Sequence, residues 1–162
     1  MLIASVEKTT EIPGDIIECG VYQGHSALKI LQHTSKTVWL VDSFLGLPEP
    51  GPEDMSLPYH RGDLQGDYNI VRELLRDYPK AEIVKGWIPE CLKPLSKRVF
   101  CMAHLDLDLY KSTKDALTFI VPHMSLRGII LIHDIALPGI QRAIEECGLM
   151  GESNGEYFKW VK

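Results

Sequence analysis

The sequence predicts an α/β fold, a doubly wound and mostly parallel Rossmann-like sheet with helices on both faces. Three observations carry that expectation. Short β-branched runs alternate with longer segments of helical periodicity, the pattern of parallel strands joined by crossover helices. Two of the runs, 99–105 and 128–132, are apolar almost throughout, as strands buried on both faces are. Several runs also finish on acids or histidine, at Asp42, at Asp106 and at His133-Asp134.

Residues 15–19 follow the Pro13-Gly14 breaker and predict a first strand that ends at Gly20. Over 24–32, Ala27, Leu28, Ile30 and Leu31 fall on one helical face, and Ser26 supports the first turn. Residues 37–42 form a second strand, β-branched and aromatic. The stretch 43–63 carries Pro48, Pro50, Pro52 and Pro58 with several acids and no period. A structureless loop of about 21 residues is uncommon in a compact domain, and this one is expected to be a lid. A helix follows over 67–78, with Ile70, Val71, Leu74 and Leu75 on one side and Pro79 as its stop. Residues 81–85 are a third strand running into Gly86-Trp87, and 99–105 a fourth running into Asp106-Leu107-Asp108. The remaining elements are a helix over 112–124 capped by Ser112 or Thr113, a strand at 128–132, a short helix at 139–147 and a last strand at 157–161. The expected order is βαβαβαβαβα plus a final strand, in one domain spanning 1–162.

Composition narrows the function classes. With 162 residues the chain has room for one core, and at this length it needs no disulfide or structural metal to fold. A formal net charge of −5 argues against a nucleic-acid or anionic membrane partner, which would need a basic face. No apolar run approaches a membrane span and the N-terminus does not resemble a signal peptide. Cys19, Cys91, Cys101 and Cys147 have neither CxxC nor zinc spacing and read as reduced thiols, so a cytoplasmic protein is expected.

In an open parallel sheet, ligands bind beyond the carboxyl ends of the strands. Here those ends carry Glu18 and Gly20, Asp42, Gly86 and Trp87, Asp106 and Asp108, and His133 with Asp134. Buried carboxylates are costly unless paired or liganded, and while a single one reads equally well as a helix cap, the set does not. The first turn, Glu18 to Gly24, has the spacing ExGxxxG rather than GxGxxG. An acid before a glycine turn suits a cationic ligand such as S-adenosylmethionine (SAM). Asp42 at a strand end can hold ribose hydroxyls, a role shared by NAD and SAM sites. Asp106 and Asp108 fall on one face if their strand continues, and His133-Asp134 could complete a cluster for a divalent ion. For His133, a base or capping role without metal stands beside the ligand role.

The segments 13–24, 41–48 (VDSFLGLP) and 105–113 (LDLDLYKST) resemble the macrocin O-methyltransferase (TylF-like) family, with Lys85-Gly86-Trp87 and the 128–134 segment in matching order. The resemblance covers about residues 13 to 145. It implies a class I SAM-dependent methyltransferase fold and O-methylation of a polyhydroxylated or sugar-containing acceptor, assisted by magnesium or manganese. It places Glu18, Gly20 and Gly24 at the methionine end of SAM. Asp42 would hold the ribose with Ser43 and Phe44 beside it, and Gly86 and Trp87 would border the adenine. Asp106, His133 and Asp134 would ligate the metal, and Asp106, Asp108 or His133 would act in catalysis. The family usually has two adjacent aspartates where this chain has His133-Asp134. The N-terminal helical extension that usually precedes the fold is also expected to be mostly missing, leaving a minimal core.

Two other readings stand beside this one. A SAM-binding or oligomerisation module without turnover would keep the fold and drop the reaction, and an NAD-dependent oxidoreductase is disfavoured by the glycine pattern. The partner expected is a small hydroxylated molecule, with a second copy of the chain as possible cover for the cofactor site. Tyr110 and Trp39 read as packing, Lys111 and Lys114 as a solvated helix face. His25, His60 and Arg61 could reach ligand or solvent.

Overall fold

A computed structural model describes residues 1–162. Seven strands form one sheet: β1 (Asp15–Cys19), β2 (Val38–Asp42), β3 (Ala81–Lys85), β4 (Phe100–Leu105), β5 (Met124–His133), β6 (Glu152–Ser153) and β7 (Tyr157–Val161). Their spatial order is β3-β2-β1-β4-β5-β7-β6. The first five strands pair in parallel, and β7 runs antiparallel between β5 and β6. The doubly wound α/β class is therefore as the sequence predicts. The sheet is laid down from β1 outward to β3, and the chain then returns across β1 to lay down β4. That reversal opens a crevice between the carboxyl ends of β1 and β4.

Five helices cover the sheet: α1 (Leu2–Lys8), α2 (His25–Gln32), α3 (Tyr68–Leu74), α4 (Tyr110–His123) and α5 (Pro138–Glu146). One face is packed by Leu2 and Val6 of α1, Ala27 and Ile30 of α2 and Val71 of α3 against Ile16, Leu40 and Met102. The opposite face packs Ala116, Leu117 and Ile120 of α4 and Ile140 and Ile144 of α5 against Ile17, Ala103 and Ile130. All six residues of β4 are buried, because it is the middle strand and carries helices on both sides.

Several expectations need correction: β5 begins at Met124 rather than at 128, β6 is unforeseen, and four differences concern helices. No α-helix joins β3 to β4; the connection is a 3₁₀ segment, Glu90–Leu95, containing Pro94, which has no N–H for a longer helix. An unforeseen first helix, α1, precedes β1 and tucks Leu2, Ser5 and Val6 into the core. The helix expected over 67–78 ends at Leu74, although Asp67 does cap it by accepting from Asn69 N and Ile70 N. Finally, α4 begins two residues early, and neither Ser112 nor Thr113 is its cap: both lie inside the helix. Its first amide, Tyr110 N, donates instead to the Asp54 carboxylate, which comes from the loop after β2.

That loop, 43–63, is ordered by its own backbone. Leu47 N donates to Asp63 O and Gly62 N to Leu47 O, pinning the two ends together. A 3₁₀ turn, Pro52–Asp54, sits in the middle and rests on α4 and α5.

Candidate active site

A cavity of about 550 Å³ opens at the crevice between β1 and β4. Of the residues expected at a site, Gly20, Asp42, Ser43, Gly86, Trp87, Asp106, Asp108, His133 and Asp134 all line it. Glu18, Gly24 and Phe44 do not. Glu18 points into the sheet interior, opposite His104 on β4, with Oε1 2.8 Å from His104 Nδ1 and both side chains almost wholly buried. Gly24 is the left-handed N-cap of α2, packed on Val71 and Leu74. Phe44 is buried edge-on against Tyr68.

The backbone comes close at Gly20. It has φ +88, and a Cβ there would lie 1.8 Å from Asp106 O, so only glycine lets β1 and the turn after β4 meet. Asp42 organises the neighbouring turn. Its Oδ2 accepts from Val21 N (2.7 Å) and Tyr22 N (2.9 Å), and its Oδ1 from Phe44 N (2.7 Å). A carboxylate has about four acceptor positions, so one remains for a ligand hydroxyl. Trp87 and Ile88 give the cavity an apolar wall on the β3 side.

Across the crevice lies the acidic group. Asp106, His133 and Asp134 each present a ligand atom within 4.8 Å of the others. His133 Nδ1 is 3.2 Å from Asp106 Oδ1 and 3.1 Å from Asp134 Oδ2, and Nε2 is 3.4 Å from Glu156 Oε1. Asp106 first, then Asp134, holds the imidazole far above its ordinary range, to about 11. Asp108 is raised as well, which for a carboxylic acid favours the neutral form: burial first, then the Asp106 charge, pushes it up to about 6. Its backbone is left-handed, φ 59, and Leu109 N donates to Leu107 O at 2.6 Å across it.

Left-handed non-glycine residues concentrate here. Tyr22, Leu64, Asp108 and Asp134 line the cavity and Phe44 adjoins it, leaving only Arg127 elsewhere. Each such residue costs on the order of 1–3 kcal/mol, and clusters of them mark functional sites.

The structure adds residues that the sequence reading passes over. Tyr157 of β7 lines the cavity and meets His133 edge-on at 4.8 Å between ring centroids. Tyr59 donates its hydroxyl to Asp108 Oδ1 at 3.1 Å. Neither carries a local motif; both arrive by topology. His25 and Lys111 are exposed at the cavity mouth, whereas Lys114 pairs with Glu146. Trp39 packs beneath Arg98 and Tyr110 is buried between α4 and α5, the structural roles expected of both.

The family model for macrocin-O-methyltransferase (TylF) matches residues 2–148. The chain belongs to this family. A Streptomyces olivaceus protein, 8-demethyl-8-(2,3-dimethoxy-alpha-L-rhamnosyl)-tetracenomycin-C 4'-O-methyltransferase, is 31% identical over 151 residues, covering 83% of this chain and 58% of that protein. Demethyldecarbamoylnovobiocin O-methyltransferase of Streptomyces niveus is 29% identical over 152 residues, with 83% and 58% covered. The chain thus spans less than two thirds of the length of these curated relatives. Among solved structures, the O-methyltransferase NovP superposes with a TM-score of 0.85 at 25% identity, covering 99% of this chain and 77% of NovP. The O-methyltransferase from Bacillus cereus in complex with SAH superposes with a TM-score of 0.69 at 13% identity, over 99% of this chain and 79% of that one, a likeness of fold alone. The fold is that of the class I SAM-dependent methyltransferases.

Proposed function

We propose that this TylF-family chain transfers a methyl group from SAM to a hydroxyl of a small polyhydroxylated or sugar-containing acceptor. The observation that carries the proposal is one cavity joining the Gly20–Asp42–Trp87 wall to the Asp106–Asp108–His133–Asp134 group. The first wall suits an adenosine: an apolar face at Trp87 and Ile88, one free acceptor position on Asp42, and backbone brought close at Gly20. The second wall suits a hydroxyl that must lose a proton.

SAM supplies the electrophilic methyl group. The protein's part is to align it with the acceptor and raise the oxygen's nucleophilicity. Asp108 is placed for the second task. With a pKa pushed up to about 6 and Oδ1 engaged by Tyr59, it accepts the hydroxyl proton on Oδ2 near neutral pH. Asp106, His133 and Asp134 are a donor set for a divalent ion, which would supply Lewis-acid polarisation of the hydroxyl. One imidazole among two carboxylates favours manganese over magnesium. Loading that set requires His133 to release its proton, so ion affinity should rise with pH.

Calorimetry with SAM, followed by methylation assays on rhamnosides and other vicinal-diol glycosides, tests the proposal. Turnover that falls at least about 100-fold in Asp106→Asn while SAM still binds is the expected outcome. Unchanged turnover in that variant would sink the assigned chemistry. SAM binding with no product on any glycoside would leave a binding module instead.

A further inference from the structure

The loop between β2 and α3 touches the carboxylate turn at two points. The turn is strained. Asp108 has φ 59, and the Leu109 N to Leu107 O bond closes a three-residue turn of the hand that side chains with a Cβ avoid. A turn of this kind persists only where its surroundings hold it. On one side the Tyr59 hydroxyl donates to Asp108 Oδ1 at 3.1 Å. On the other, Tyr110 N donates to Asp54 Oδ1 and Oδ2 at 3.1 and 3.2 Å. Asp54 is 1% exposed, and its own position is fixed. A Cβ on Gly139 would stand 2.3 Å from Asp54 Oδ1, so α5 fits against it only as glycine, and Arg142 of α5 reaches Glu53 at 3.3 Å. The loop is therefore seated on α4 and α5, and reaches from that seat over the turn.

We propose that Asp54 and Tyr59 are positioning residues, which together clamp the 107–109 turn, Tyr59 at the Asp108 carboxylate and Asp54 at the Tyr110 amide that follows the turn, and so fix the Asp108 carboxylate in the cavity. The catalytic consequence rests on the reading of Asp108 as base; the clamp itself does not. The loop thus has a double use: it borders the cavity and builds the geometry of the acid beneath it.

Native-state amide exchange tests the clamp without any acceptor, so its failure is separable from failure of the methyl-transfer reading. Tyr59→Phe keeps the ring and loses the bond to Asp108. Asp54→Ala loses the acceptor for Tyr110 N, and Asp54→Asn restores one. Exchange at amides 107–113 should rise about tenfold in Tyr59→Phe and Asp54→Ala, stay near wild type in Asp54→Asn, and remain unchanged at β5 amides 129–132 in all three. Unaltered exchange at 107–113, or an equal rise at 129–132, would overturn the clamp. In turnover of a vicinal-diol glycoside, Tyr59→Phe should lower kcat about tenfold to a hundredfold, with the KM for SAM within about twofold of wild type. A raised KM for SAM at unchanged kcat would place Tyr59 in cofactor binding and overturn the assignment.

Discussion

Glu18 and His104 form a pair with one hydrogen bond and two buried atoms, Glu18 Oε2 and His104 Nε2, that have no protein partner. A buried polar pair is worth little against an apolar pair of similar size, but losing one member leaves the other stranded. His104→Leu or Glu18→Leu alone should therefore destabilise the protein by about 3–5 kcal/mol, whereas the double replacement should recover most of that loss. Urea unfolding of the four proteins of this cycle measures it, and additive single effects would show that the pair is not coupled. The same residue shows where sequence reading stops. Glu18 stands before a glycine turn, the place of a ligand-facing acid, and nothing local says otherwise. Its partner lies 86 positions away on the adjoining strand and is found only through the β1–β4 register. Asp42 is the gentler case: its place at the cavity was legible, but its three backbone donors were not. Asp106 and His133 could be read because a strand end fixes where a side chain points, whatever the strand pairs with; Asp108 and Asp134 are aimed instead by left-handed backbone, φ 59 and 55, which no local pattern announces.

At the scale of elements, the apolar middles of strands are easier to place than the ends of either element: β5 begins at Met124, four residues before its apolar run. A strand's apolar run is set by burial, which the sequence records directly. A helix start depends on which group takes its first amides, and for α4 that group is Asp54, brought in from a loop whose sequence has no period. The same end of α4 is tied to the last turn of α5 by a second polar group. Glu146 accepts from Lys114, from the Tyr110 hydroxyl at 2.7 Å and from Arg142 Nε at 2.8 Å. Lys114 first, then Tyr110 and Arg142, holds the Glu146 carboxyl down to about 2. A carboxylate whose folded value is depressed adds stability that is complete above its unfolded value, about 4.3, and is lost as pH falls through the folded one. The melting temperature of wild type should accordingly exceed that of Glu146→Gln by a constant margin above about pH 5.5, and the margin should shrink toward zero near pH 2. The site is solvent-exposed, so the margin should also shrink in high salt. A pH-independent margin would assign the effect to packing around Tyr110 instead.

At the scale of the molecule, the order β3-β2-β1-β4-β5-β7-β6 decides where chemistry happens, because the chain reverses at β1 and leaves the β1 and β4 ends unobstructed. The two walls of the cavity come from opposite halves of this winding: Asp42 and Trp87 lie at the carboxyl ends of β2 and β3, while Asp106 and His133 lie at those of β4 and β5. Ligands for the two walls should stabilise the folded protein separately and by mass action. SAM at 100 times its Kd adds about 2.7 kcal/mol, which for a chain of this size raises the melting temperature by about 5–10 °C. Manganese added to the SAM complex should raise it further, and a chelator should remove only that increment. In Asp106→Asn the SAM shift should survive and the manganese increment disappear. Scanning calorimetry of the two proteins with SAM, manganese and both reads out each wall in turn. A manganese increment that persists in Asp106→Asn would move the ion off this cluster. No increment in wild type at any pH up to 8.5 would leave His133 as the resident cation between the two carboxylates, with Asp108 alone to take the proton.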